Sequence, residues 1–83
     1  MNVKQRQPKG FGKRLREAIA DRGMTITEFS RRTGIVRNNI YGYIYYDSVP
    51  TIAKALRIAI VLNVSLDWLI AGVGSSEDVL YGG

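Results

Sequence analysis

Arg37, Asn38 and Asn39 are three consecutive side chains that can each form several hydrogen bonds. An Arg guanidinium can pair with guanine O6 and N7 through two donors, and an Asn amide can pair with adenine N6 and N7. The alternative is that the same three residues form the solvated first turn of a helix. Base recognition is therefore the first function to consider for this stretch. The helices around it decide between the two interpretations.

Other kinds of chemistry have little support. The chain has no Cys and no His, so a zinc site or a His-based catalytic relay is not expected. The few carboxylates, such as Glu17, Asp21 and Glu28, fall at helix caps and polar faces. We expect no enzymatic activity, no cofactor and no metal.

The stretch before Arg37 has the pattern of two short helices. Thr25 and Glu28 form a Thr-x-x-Glu capping box, which predicts a helix start at residue 26. Gly34 suits the end of that helix, because glycine readily adopts the left-handed conformation there. Apolar periodicity resumes a few residues later at Ile40, so the pattern is that of a helix-turn-helix.

The remaining segments complete an all-α fold. Apolar spacing predicts helices at 11–22, 26–33, 36–45 and 51–62, and Ser65 caps a short one at 66–71. Residues 1–10 are expected to be a flexible basic arm, 11–72 the domain, and 73–83 a tail or the start of a linker. The predicted fold is a compact five-helix bundle.

The charge is unevenly distributed. Residues 1–37 hold ten Lys/Arg against three Asp/Glu, a net of +7, while residues 38–83 have a net of −2. A nucleic-acid partner accounts for this asymmetry, because phosphates provide most non-specific affinity. A solvated basic surface is the alternative.

Several motifs together resemble a known family. They are Phe-Gly-Lys-Arg-Leu-Arg-Glu at 11–17, Thr-Glu-Phe-Ser-Arg-Arg-Thr-Gly at 27–34, Pro50, Ile-Ala at 58–59 and Val-Ser-Leu-Asp-Trp-Leu at 64–69. In order and spacing they resemble the helix-turn-helix domain of phage Cro proteins and repressors, the XRE family. The resemblance implies the lambda-repressor-like fold and a sequence-specific DNA-binding transcriptional regulator, typically a repressor.

The resemblance also implies which residues meet DNA. Helix 36–45 would lie in the major groove, and the expected base contacts are Val36, Arg37, Asn38, Asn39 and Gly42. The expected contacts to the DNA backbone are Lys13, Thr25, Ile26, Thr27, Tyr41, Tyr45, Tyr46 and Ser48, and candidate arm contacts are Lys4, Arg6 and Lys9. Gly42 has two explanations: close approach to the groove floor, or close packing against a protein neighbour.

Two departures from the family are physically matched. Many members carry Arg and Glu at the positions of Ile19 and Ile44, where they form a largely buried ion pair. Losing one partner would cost roughly 3–5 kcal/mol, whereas replacing both by packed aliphatics can be neutral or stabilising. We therefore predict that Ile19 and Ile44 touch. The expected core is Leu15, Ile19, Phe29, Ile40, Tyr43, Ile44, Ile52, Leu56, Ala59, Leu62, Val64 and Leu69.

Two further departures affect DNA binding. Ile26 replaces a frequent Gln and cannot bridge phosphate and base, although a helix N-terminus still offers backbone N–H groups. Tyr46 replaces a frequent Gly, so the loop before Pro50 should have a different shape.

The expected assembly is a homodimer on double-stranded DNA, in the cytoplasm, with no membrane or metal partner. Candidate interface residues are Trp68, Ile70, Val79, Leu80 and Tyr81. They could instead bind a second protein, as in an antitoxin-like regulatory subunit, or pack on this chain's own core. The third hypothesis is a protein-interaction domain that has lost DNA binding, and it is supported only by Ile26 and Gly42.

Overall fold

The computed structural model describes residues 6–75, which form five α-helices. They are α1 (Phe11–Asp21), α2 (Ile26–Thr33), α3 (Arg37–Tyr45), α4 (Ile52–Leu62) and α5 (Leu66–Ala71). The described residues contain no strand, and none of their helices has the length and apolarity needed to span a bilayer. The predicted all-α architecture is confirmed.

Three helices are capped at their N-terminus by a hydroxyl side chain, as predicted for Thr25 and Ser65. Thr25 Oγ1 accepts from the Glu28 amide at 3.1 Å, Thr51 Oγ1 from the Lys54 amide and Ser65 Oγ from the Trp68 amide at 3.2 Å each. Each bond satisfies a backbone donor that has no partner within the helix. The Glu28 carboxylate meanwhile accepts from Arg32 one turn later at 2.8 Å.

One core holds the helices together. It contains Phe11, Leu15, Ile19, Phe29, Ile35, Ile40, Tyr43, Ile58, Leu62, Val64 and Leu69, with Ala18 and Ala59 between the larger side chains. Helix α1 packs on α3 and α5, α2 packs on α3 and α4, and α4 packs on α5. Ile19 is buried in this core and Ile44 is half-buried against it. Their direct contact stays a prediction.

The predicted inward face of α4 is partly wrong. Ile52 is 86% exposed and Leu56 is 41% exposed, while Ile58 is fully buried. Apolar residues occupy nearly every position of this helix, IAKALRIAIVL, so their spacing does not define one face. The inward side chains are Ala55, Ile58, Ala59 and Leu62, and an outward apolar stripe is left at Ile52, Leu56 and Ile60.

Three arginines each join the C-terminal end of one helix to another helix. Arg14 donates to the carbonyls of Leu69 and Ile70 at the end of α5, at 3.0 and 2.9 Å. Arg22 donates to Leu62 at the end of α4, at 2.7 Å, and Arg57 donates to Thr33 at the end of α2, at 3.0 Å. Cations are favourable there, because the last carbonyls of a helix lack partners and carry negative partial charge.

Residues 7–10, part of the predicted arm, form hydrogen bonds with the helices and the loop after α3. The Gln7 side-chain amide donates to the carbonyls of Tyr43 and Ser48, at 2.7 and 2.8 Å. The Lys9 carbonyl accepts from Arg14, and the Pro8 carbonyl accepts from the Phe11 amide. The chain entering α1 therefore packs across the end of α3.

Candidate nucleic-acid interface

The turn between α2 and α3 is fixed by short-range hydrogen bonds. Gly34 takes a left-handed conformation with φ of 72°, which an L side chain rarely adopts. The buried Thr33 hydroxyl donates to the Phe29 carbonyl at 2.8 Å and accepts from the Ile35 amide at 3.2 Å. Ser30 Oγ donates to the Ile35 carbonyl at 2.6 Å. These bonds set the direction in which α3 leaves α2.

The first turn of α3 is presented to solvent. Val36, the N-cap residue, is 61% exposed, and Arg37, Asn38 and Asn39 are exposed as well. Val36 offers no capping side chain to α3. Since Ile35 is buried directly before them, these four residues project from a firmly packed base.

Arg37 connects the two helices of the motif. Its Nη1 donates to Thr27 Oγ1 at 3.1 Å, across ten residues of sequence. Thr27 lies in the first turn of α2 and is exposed, so the guanidinium lies at the surface between the N-terminal ends of α2 and α3. The contact reduces the freedom of a long side chain before any partner binds.

The tyrosines of α3 divide into one buried ring and two stacked ones. Tyr43 is buried, with its ring edge-on to Phe11 at a centroid distance of 6.4 Å. Burial raises the pKa of its phenol above the usual value of 10.0. Tyr41 and Tyr45 are exposed and stack on one another, with centroids 6.4 Å apart and ring planes 25° apart.

Gly42 is explained by a protein neighbour. It is buried, and a Cβ added to it would lie 2.9 Å from Ser48 Oγ and 3.3 Å from Ser48 Cβ. The Gly42 carbonyl also accepts from the amides of Tyr46 and Ser48. The loop after α3 therefore closes over this residue, which favours close packing against a protein neighbour as the reason for glycine here.

That loop turns one residue later than the family pattern suggests. Tyr46 has φ of −123°, and Asp47 takes the left-handed conformation with φ of 61°. Asp tolerates this conformation better than most residues. Tyr46 is left 77% exposed beside Ser48, which is exposed too.

The other candidate backbone contacts lie around this surface. Lys13, Thr25 and Thr27 are exposed, and Ile26 is half-buried against the core. Arg6 and Lys9 are exposed on either side of the anchored Gln7. Lys4 lies outside the described residues.

The candidate interface residues are placed only in part. Trp68 and Ile70 are half-buried and pack against this chain's own core, while Val79, Leu80 and Tyr81 lie outside the described residues. The outward stripe of α4 is more exposed than either. Ile52 of that stripe borders a groove of about 440 Å³, which is lined by Pro8, Phe11, Val49, Pro50, Ala55, Leu66 and Ile70 as well.

Sequence reasoning missed the residues that support this surface. Arg57 and Thr33 lie 24 residues apart, and nothing in their local patterns indicates that they pair. Thr33 and Ser30 could have been suspected, because Ser and Thr often bond nearby backbone at helix ends. Residues 6–75 contain no group of His, Cys, Asp or Glu side chains able to hold a metal ion.

Comparison with known proteins identifies the family of the chain. A model of the helix-turn-helix domain matches residues 12–75. The fold is similar to the crystal structure of the restriction-modification controller protein C.AhdI from Aeromonas hydrophila. The two share 24% identity with a TM-score of 0.66, over 71% of this chain and 89% of that chain. No curated protein gives a significant match. This chain belongs to the helix-turn-helix domain family, and it is a DNA-binding transcription regulator.

Proposed function

We propose that the chain is a phage-type repressor that binds an inverted-repeat operator as a homodimer, with α3 in the major groove. The observation that carries this proposal is the exposed first turn of α3, residues 36–39, beside the Arg37–Thr27 hydrogen bond. A recognition helix contacts base edges mainly through its N-terminal residues. Acting on DNA, the protein would work in the cytoplasm.

The proposed base contacts are Val36, Arg37, Asn38 and Asn39. Arg37 would pair with a guanine and Asn38 with an adenine, each discriminating by ~1–3 kcal/mol against a wrong base. Val36 would pack on a thymine methyl. Thr27 holds Arg37 toward the groove, so its hydroxyl would influence affinity without reading a base.

Contacts to phosphates would fix the orientation. The first turn of α2 presents backbone N–H groups near Thr25, Ile26 and Thr27, and such helix ends attract phosphate. Lys13 would supply positive charge from α1, and Tyr46 and Ser48 would contact the backbone from the loop after α3. These contacts position the protein and carry no sequence information.

Dimerisation would use the outward face of α4. Ile52, Leu56 and Ile60 lie at positions i, i+4 and i+8 and are all exposed. Exposed apolar residues grouped on one face of a helix often mark protein interfaces. Trp68 and Ile70 would extend the interface from α5. Recruitment of a second protein by the same face is the competing role.

Selection of bound sequences from random duplex DNA tests base reading, for the wild type and for Arg37→Ala. We expect a palindrome for the wild type and one relaxed position per half-site for the variant. Arg16→Ala removes an exposed charge from α1 and should keep the full sequence preference. Weak binding to all sequences, unchanged by Arg37→Ala, would contradict the proposal.

The dimer requires its own test. Sedimentation on the selected operator should show two chains per palindrome for the wild type and, at the same protein concentration, only one chain per palindrome for Leu56→Asp. Ala20→Asp introduces the same charge at an exposed position of α1, outside the proposed contacts, and should leave the two-chain complex unchanged. A wild type that stays monomeric on a palindrome would overturn dimerisation, and co-purification with a different protein would favour the competing role.

A further inference from the structure

The outward face of α3 carries two aromatic rings in line with its base-reading end. Arg37, Tyr41 and Tyr45 lie at positions i, i+4 and i+8, and therefore form one row along the helix. Ile40 and Tyr43 point the opposite way, into the core. Tyr41 is 39% exposed and Tyr45 is 61% exposed, so the row is open to a partner along its length.

The two rings behave as one surface. Their stacking, with centroids 6.4 Å apart, restrains both side chains against each other and against the helix. A pair held this way loses little conformational entropy when a partner covers it. Hydrogen bonding to a phosphate would need only the hydroxyls and would leave the apolar area of the rings unused.

Gly42 leaves Tyr41 and Tyr45 as the side chains through which the second half of α3 can contact a partner. It is the residue one turn beyond Asn38 on the side closed by Ser48, and it has no side chain to offer. Beyond Asn39, the exposed side chains of α3 are therefore those of Tyr41 and Tyr45. Any base contact made by the C-terminal half of this helix therefore has to involve one of these two tyrosines.

The major groove offers one apolar group, the C5-methyl of thymine. We propose that the exposed outer surfaces of the stacked Tyr41 and Tyr45 rings contact thymine methyl groups and so determine sequence preference beside the bases read by Arg37 and Asn38. This inference rests on the proposed function, because it requires α3 in the major groove. It assigns the two tyrosines to base recognition rather than to the phosphate contacts expected from sequence.

Replacing thymine by deoxyuridine tests the contact, because it removes the methyl group and leaves base pairing intact. Each thymine of the selected half-site is replaced in turn, and affinity is measured for wild type, for the double variant Tyr41→Phe/Tyr45→Phe and for Tyr41→Ala/Tyr45→Ala. Losing one buried methyl contact should weaken wild-type binding about fourfold, from ~0.8 kcal/mol at 1.4 kcal/mol per tenfold change.

The proposal expects a specific pattern across the three proteins. The Phe variant should bind like wild type and keep the penalty for deoxyuridine, because its rings keep their apolar faces. The Ala variant should bind the thymine site several-fold more weakly and should lose the deoxyuridine penalty at one or more thymines, while the penalty at the thymine packed by Val36 remains. Far-ultraviolet circular dichroism should show unchanged helix content for both variants, because both positions are exposed.

Two results would overturn the proposal. Loss of affinity in the Phe variant, with no deoxyuridine penalty in wild type, would assign the tyrosines to phosphate contacts through their hydroxyls. If every deoxyuridine penalty of the wild type persists in the Ala variant, the methyl contacts belong to other residues, such as Val36. Both results leave the repressor function standing, whereas failure to select any preferred sequence would remove that function itself.

Discussion

Gly12 of α1 lies directly against the carbonyl oxygen of Tyr43 in α3. A Cβ added at Gly12 would lie 2.7 Å from that oxygen and 2.9 Å from the carbonyl oxygen of Ile44. Gln7 donates to the same Tyr43 carbonyl, so the start of α1 and the residues before it close over the C-terminal end of α3. The position of the proposed recognition helix therefore depends on a backbone-to-backbone approach that only glycine allows.

Gly12→Ala should destabilise the protein even though alanine favours helices. Helix propensity alone predicts a gain of up to about 1 kcal/mol. The clash is with backbone atoms, which cannot rotate away, and overpacking of this kind costs ~1–3 kcal/mol. Urea unfolding should show a net loss of stability. Ala20→Gly, at an exposed position of α1, calibrates the propensity contribution, and a stabilised Gly12→Ala protein would contradict the packing described.

Gly42 and Ser48 should be energetically coupled. When Ser48 is present, a methyl group introduced at residue 42 would lie 2.9 Å from Ser48 Oγ. The substitution Ser48→Ala removes that oxygen. Gly42→Ala is therefore expected to be destabilising alone and less destabilising in the Ser48→Ala background, where only the 3.3 Å contact with the Cβ of residue 48 opposes the gain in helix propensity. A double-mutant cycle in urea should give a coupling of at least about 0.5 kcal/mol. Additive changes would mean that Ser48 simply rotates aside.

Arg14 should contribute to stability much more than its neighbour Arg16. The Arg14 guanidinium donates to the carbonyls of Lys9, Leu69 and Ile70, while Arg16 is exposed. Hydrogen bonds to charged groups contribute ~1.5–3 kcal/mol, and their loss leaves part-buried carbonyls without partners. Arg14→Ala should lower the free energy of unfolding by about that amount. Arg16→Ala should stay within ~0.5 kcal/mol of wild type, and equal losses in both would argue against the proposed role of Arg14.

The difference between these two arginines shows why sequence reasoning succeeded for helices and failed for their connections. Capping by Thr25, Thr51 and Ser65 involves residues three apart, so the local pattern contains the whole interaction. Arg14 instead bonds a carbonyl 55 residues away, and any residue type could supply that carbonyl. The sequence predicts that the positive charges of residues 1–37 form a basic surface. Arg14 and Arg22 instead donate hydrogen bonds to the last carbonyls of α5 and α4.

The base-reading residues illustrate the same limit. Exposure of residues 36–39 follows from the predicted start of α3, which depends on the Gly34 turn. The position of Gly42 depends on how the loop up to Pro50 folds back, and sequence left its two explanations open. The predicted inward face of α4 was wrong for a different reason. An almost wholly apolar helix has two faces that could pack into the core.

Burial of the Tyr43 phenol should make the fold sensitive to alkaline pH. Burial raises its pKa in the folded protein above the value of 10.0 expected in the unfolded chain. The folded state then holds this proton more tightly, so the contribution to stability is fully present below pH 10 and is lost as pH rises through the folded value. Tyr43→Phe keeps the edge-on contact with Phe11 and should flatten the alkaline fall in unfolding free energy. Tyr45→Phe, which removes an exposed phenol, is the control, and an equal effect of both substitutions would contradict the assignment to Tyr43.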